Sequence, residues 1–212
     1  MIIKPIKDGI VDKETFNSKG NIKILWVLKE GNVASNDHVK ERDICEELYH
    51  RGHLKNALSI PTFKKIIYST YWVLNPEKQW SDIPYANEKE CYSAVDHIGY
   101  ININKFPAGA VSNDSFLYEE FAKNKEALLA QIDEINPELI IFGNTLKFFG
   151  DSLKEIGWDT NDKIIFDDNV DIYLTKKKGI IINAYHPAYF KIADKKYCES
   201  IKDAYLKYKE QV

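Results

Sequence analysis

The sequence predicts an α/β domain: a central, mainly parallel four-stranded sheet with helices on both faces. Three observations carry this reading. Four short runs, 22–27, 98–101, 139–142 and 180–184, are almost wholly apolar, the pattern of strands buried on both sides rather than on one. Stretches between them repeat apolar residues at three-, four- and seven-residue steps, the spacing of one helix face, and alternation of strand with helix is the α/β signature. Each run also ends in a polar, backbone-permissive segment, and in an open parallel sheet all such ends face one crevice, where these folds take up ligands.

The elements follow in order. Residues 22–28 form the first strand, and the polar stretch to Gly52 is helical in part. Ser59-Ile60-Pro61 opens a helix, because Pro is tolerated in a first turn, and Phe63, Ile66, Ile67, Tyr71 and Leu74 follow before Asn75-Pro76 stops it. A loop rich in Trp, Pro and Tyr and a short helix near 88–95 lead into the second strand, 97–103. Asp114 or Ser115 caps a long helix carrying Leu117, Phe121, Leu128, Ile132 and Ile135, which Asn136-Pro137 ends. The third strand is 139–142, and a helix over 145–156 has Leu146, Phe149 and Leu153 on one face. Residues 164–166 and 171–174 read as short strands or a hairpin, with Lys176-Lys177-Lys178 as a solvated turn before the fourth core strand, 180–184. Asp194 caps a closing helix with Tyr197, Ile201, Tyr205 and Tyr208 along one side.

With 212 residues and no Gly/Ser- or Pro-rich linker, one domain over 1–212 is expected, large enough to bury a core without disulfides. Three widely spaced cysteines, Cys45, Cys91 and Cys198, suit neither a disulfide framework nor a close-spaced metal knuckle, so a reducing cytoplasm is the expected compartment. The first residues lack the apolar core of a signal peptide, and no run approaches the length of a membrane span. A formal charge of -3 argues against sequence-blind binding of nucleic acid by the whole surface. A local basic rim stays open, since Lys29, Lys105, Lys147 and Lys191 each lie near a strand end; the competing explanation is that lysine is common here and loops are exposed.

Chemistry-bearing residues gather at those ends: Leu28-Lys29-Glu30-Gly31-Asn32, Asn102-Ile103-Asn104-Lys105-Phe106-Pro107, Gly143-Asn144-Thr145 and His186-Pro187. A carboxylate such as Glu30 can orient or deprotonate water and stabilise developing positive charge. Asparagine offers an amide donor and acceptor in one plane, and strand alternation puts Asn102 and Asn104 on the same face. A neutral imidazole at His186 can donate without titrating, and Pro187 restricts its backbone to an extended form. The competing roles are structural: a solvated Glu, Asn satisfying loop backbone, a histidine making one structural hydrogen bond.

Taken in order, the acid-bearing segment, Asn-x-x-Lys-x-x-Pro, Asn-Pro-Glu-Leu-Ile-Ile-Phe-Gly and His-Pro-Ala resemble the uracil-DNA glycosylase superfamily over 22–190. That resemblance implies a glycosylase-like α/β/α fold, base flipping from DNA and hydrolysis of the N-glycosidic bond of uracil or another altered base. It implies Glu30 and Asn32 near the water, Gly31 beside the base, Asn102 on the base edge with Asn104 as competitor, and His186 on the leaving base. It also implies nucleic-acid contacts at Lys29, Lys105, Pro187, Ala188, Phe190 and Lys191, with Phe190 as an apolar wedge. Gly31-Asn32 stands where the family usually carries Pro, and Ala188 where many members carry Ser. Three cysteines fall short of the four that hold the iron-sulfur cluster of one branch, so neither metal nor cofactor is expected. Expected partners are single- or double-stranded DNA or a nucleobase or nucleotide, with no membrane, for a protein acting as a monomer. A non-catalytic binding module on the same fold is the alternative.

Overall fold

A computed structural model describes residues 4–32, 41–108, 113–175 and 178–212. Short strands β1 (Ile6–Lys7) and β2 (Gly9–Ile10) precede helix α1 (Lys13–Asn17), whose first N–H groups are capped by the Asp12 carboxylate. β3 (Ile24–Asn32) follows, then β4 (Arg42–Asp43) and α2 (Ile44–Tyr49), which Asp43 caps in the same way. α3 (Pro61–Leu74) starts at its proline, as the sequence predicts, and α4 (Lys89–Tyr92) is a single turn. Next come β5 (Ile98–Ala108), α5 (Asp114–Ile135), β6 (Leu139–Gly143) and α6 (Leu146–Phe149). The chain closes with β7 (Ile164–Ile165), β8 (Val170–Thr175), β9 (Gly179–Ala184) and α7 (Asp194–Tyr208).

The class is α/β, and the main sheet is mixed. Its order is β2-β5-β3-β6-β9-β8-β7. Four neighbours, β5, β3, β6 and β9, run parallel, while β2, β8 and β7 add antiparallel strands at the two edges. The sheet is therefore seven-stranded, where the sequence reading has four. β2 and β7 span two residues each, too short to show a period, and such short edges give a neighbouring chain little to pair with. β1 and β4 form a separate parallel pair. The lysine turn between β8 and β9 lies in part outside the described residues, though the strands it joins pair antiparallel from Thr175↔Gly179 onward.

Strand alternation divides the core in two. Ile24, Trp26 and Leu28 pack with Tyr100, Ile141 and Ile182 under α3 and α7, while Leu25 and Val27 pack with Ile101, Ile140 and Ile181 under α5 and α6. On the first face the buried indole of Trp26 donates to Thr70 Oγ1 of α3 at 3.1 Å, so this large core side chain leaves no polar atom unsatisfied.

Several boundaries differ from expectation. β3 and β5 run on through the polar segments read as loops: Leu28 pairs with Asn102 and Glu30 with Asn104, and after a bulge Asn32 meets Ala108. Ladder hydrogen bonds join backbones and are indifferent to side-chain polarity, so the polar change alone did not end the strands. The cap of α5 is Asn113, which accepts from Ser115 N–H, ahead of the expected Asp114 or Ser115. The helix expected over 145–156 breaks after α6, where Gly150 takes φ of 50°, and continues as a tighter 3-10 segment. α7 begins at Asp194 itself, which pairs with Lys64 at 2.8 Å and makes no cap.

Candidate active site

Among the parallel strands the chain order is second, first, third, fourth, reading β5, β3, β6, β9. From β3 the chain passes to β5 by way of α3 on one face, and from β5 to β6 by way of α5 on the other. The connection leaving β3 runs to β5 on one side and that leaving β6 runs toward β9 on the other, so the two diverge at the carboxyl ends of β3 and β6, the switch point where open α/β sheets place ligands. Lys29, Glu30 and Gly31 stand on one side of it and Gly143, Asn144 and Thr145 on the other.

The sequence closes this point tightly. Thr145, fully buried, donates its hydroxyl to Val27 O at 2.7 Å, tying the end of β6 to β3. Asn144 turns into the left-handed region, φ 60°, and its N–H reaches Ala184 O at 2.7 Å. Gly143 is required by close approach, not by its dihedrals: a Cβ there would lie 2.5 Å from Leu28 Cδ2, 3.0 Å from Pro187 Cδ and 3.8 Å from His186 Cα. Its missing side chain lets the His-Pro segment lie across β6 against the end of β3.

His186 has a defined chemical state. Ala188 N–H donates to His186 Nδ1 at 3.1 Å, so Nδ1 is an acceptor and the ring proton sits on Nε2. Burial, with Lys29 and Lys65 nearby, lowers its pKa to about 4, leaving a neutral ring with one N–H donor near pH 7. The segment holding it is fastened at several points: Tyr189 N–H to His186 O at 2.8 Å, Tyr197 OH to Tyr185 O at 2.9 Å, and Lys65 Nζ to Tyr189 O and Ile192 O at 2.7 and 3.0 Å. Pro187 is buried, Ala188 and Lys191 are exposed, and Phe190 is 85% exposed.

The other residues singled out from the sequence are placed less openly. Glu30 is half-buried and, from its register, lies beside Asn104 on the face that carries Trp26. Gly31 accommodates β1: a Cβ there would meet Ile6 Cδ1 at 2.6 Å. Asn32 is the last residue of β3. Asn102 is 1% exposed; its main-chain N–H donates to Asp8 at 2.8 Å and its Oδ1 has no hydrogen-bond partner among the described residues. Asn104 spends its Oδ1 on Phe106 N–H at 2.9 Å. Lys105 lies on the opposite face, its ammonium 2.7 and 2.9 Å from the Asp8 carboxylate and 2.9 Å from Gln131. Lys29 stands 3.6 Å from Asp114, which Lys147 also binds. Of the four lysines expected at the rim, only Lys191 carries no ion pair among the described residues.

Sequence reasoning missed Lys65. Its side chain is 3% exposed, faces the Tyr197 ring at 4.8 Å and grips the segment bearing His186. The signal was present as an anomaly: Lys65, Tyr68 and Trp72 stand at helical spacing on one stripe, and a lysine on an apolar stripe calls for a polar partner. The cysteines offer no chemistry, since burial pushes all three thiols up to about 12, far from the reactive thiolate. Among the described residues no group of three or more His, Cys, Asp or Glu is arranged to hold a metal ion, and no helix is long and apolar enough to cross a membrane.

No protein-family model matches the chain, and no curated protein sequence matches it significantly.

Proposed function

We propose that this chain is a DNA glycosylase-like hydrolase on the α/β/α fold of the uracil-DNA glycosylase superfamily, removing uracil or another altered base from DNA. The observation that carries the reading is the state of His186, a neutral ring whose Nδ1 is occupied and whose Nε2–H is left to donate at the carboxyl edge of the sheet. In glycosidic hydrolysis a water oxygen bonds to the sugar C1′ while the C1′–N bond breaks, and its electron pair leaves with the base. Negative charge then gathers on a base carbonyl oxygen, where a fixed N–H donor lowers the barrier without giving up its proton. Glu30 orients the water and takes its proton, and its negative charge favours the electron-poor sugar. Phe190, 85% exposed, stacks on the bases that neighbour the target.

A second reading is favoured by the two asparagines. With Asn102 almost fully covered and Asn104 engaged by Phe106, the same edge suits a non-catalytic module for a nucleobase, nucleotide or nucleic acid. Incubation with single- and double-stranded oligonucleotides carrying uracil, hypoxanthine, xanthine or mispaired thymine separates the two. The first reading expects cleavage of at least one lesion, slowed about a hundredfold or more by Glu30→Gln and by His186→Ala, equivalent to about 3 kcal/mol. Cleavage that both variants perform at the wild-type rate would sink the assignment of roles. Saturable binding without cleavage would establish the second reading.

A further inference from the structure

The segment around His186, residues 185–190, carries three aromatic rings in six residues, and packing accounts for only part of their surface. Tyr185 and Tyr189 stack with centroids 4.8 Å apart and planes 12° from parallel, and Phe190 follows at 6.1 Å and 48°. Tyr185 is 42% exposed and Phe190 85%. Such rings on an ordinary loop would be free to move, but here the backbone is fastened by Lys65, by the Tyr197 hydroxyl and by its own turn. The rings are thus held in place toward solvent, so a partner that stacks on them meets little ordering cost.

Charge indicates what kind of partner fits. Most lysines near this edge are neutralised, with Lys64 paired to Asp194, Lys196 to Asp167 and Lys147 to Asp114. Lys191 and Lys195, which follow the aromatic segment in the chain, carry no ion pair among the described residues, and Lys65 lies behind it, bound to two carbonyl oxygens and facing the Tyr197 ring. Tyr185 also lines a polar cleft of about 230 Å³ with Asp167, Asp168 and Asp171, of which Asp167 pairs with Lys196 and Asp171 with Lys163. The arrangement offers flat apolar faces followed in the chain by two lysines without ion pairs among the described residues, the complement of unpaired bases with phosphates beside them.

We propose that the 185–190 segment is a stacking platform for unpaired nucleobases, so that the substrate taken up is single-stranded DNA, with its phosphates on the Lys191 and Lys195 side. Bases inside a duplex are already stacked on both faces and have none to offer a ring fixed in the protein; an unpaired base does. This inference rests on the DNA reading above and shares its edge of the sheet. Its test uses undamaged DNA, so the two ideas can fail separately.

The experiment is fluorescence anisotropy of the full chain with labelled oligo-dT, an undamaged mixed strand of about 20 nucleotides and its duplex, over a salt series. Single strands are expected to bind about tenfold or more tightly than the duplex, and Tyr185→Ala and Phe190→Ala each to weaken single-strand binding about five- to a hundredfold. Tyr185→Phe keeps the ring and should bind as wild type, and Lys191→Ala should lower the salt slope by about one. Phe190 lies on the surface, so its replacement reads the platform even if the Tyr185 variant unfolds. Equal or tighter binding of the duplex, or ring-removal variants that bind like wild type, would overturn the platform. Ring-dependent single-strand binding by a protein that cleaves no lesion would leave the platform standing and remove the glycosylase reading. Lesion cleavage with ring-independent binding would do the reverse.

Discussion

The two halves of the parallel sheet treat their polar ends differently. At β3 and β5 the ladder runs past the last apolar residues, so Asn102, Asn104 and Lys105 are drawn into the fold: one is buried, one satisfies Phe106, one neutralises Asp8. At β6 and β9 pairing stops at Gly143↔Ala184, and the residues beyond are held by loop contacts that leave the His186 Nε2–H and the Phe190 ring open. A polar residue at a strand end becomes available for chemistry where backbone pairing stops; where pairing continues, neighbouring strands consume it.

The largest effect should come from the half that is consumed. Asp8 is 2% exposed at its side chain and accepts from Lys105, Gln131 and Asn102 N–H, so Asp8→Ala leaves a partly buried ammonium and a main-chain donor unpaired. We expect a stability loss of about 3–5 kcal/mol by urea denaturation. A loss below about 1 kcal/mol would mean the β5 end is held by its ladder alone.

The next effect tests the open half through pH. An unfolded histidine titrates near the ordinary 6.5, while His186 in the fold titrates at about 4. The unfolded chain therefore binds more protons between these values, and the stability contributed by the neutral ring is complete above about pH 6.5 and is lost as pH falls toward 4. The total should be roughly 3 kcal/mol, and His186→Gln should remove that part of the pH dependence. Parallel pH profiles for wild type and variant would show that the ring is not held neutral.

The smallest effect sharpens the boundary between the halves. Gly143→Ala puts a methyl against Leu28, which can shift, and against Pro187, which has less freedom. Stability should fall by about 1–2 kcal/mol in thermal melts. The His186 ring resonances should move in an NMR spectrum, while those of Asn104 should not. Movement at both would show that the two ends are one mechanical unit.

How far the sequence could be read varies by residue. Ile24 to Leu28, the β6 run and the β9 run announced buried strands because each lacks the alternation of a half-exposed strand, and α3 announced its start at Pro61. Placing His186 at the end of the last core strand also came from pattern alone. The continuation of β3 through Glu30 and β5 through Lys105 could not, since polar residues after an apolar run look the same whether the backbone turns away or goes on pairing. Lys65 went unread because its partners, two carbonyl oxygens more than a hundred residues away, have no side-chain identity to mark them.

By itself the sequence determined the elements that rest on local periodicity: the strands buried on both faces, the long helices between them and the order in which they alternate. Those follow from hydrophobic spacing, which acts over a few residues. Tertiary structure decided which polar groups were left over. Only the paired backbones of β3 and β5, the Asp8 carboxylate reaching Lys105, and the Cβ-free surface of Gly143 beneath Pro187 settle whether a side chain is occupied or open. Each depends on groups distant in the chain brought within about 3 Å, a distance over which hydrogen bonds and atomic contact act and which no spacing along the sequence records.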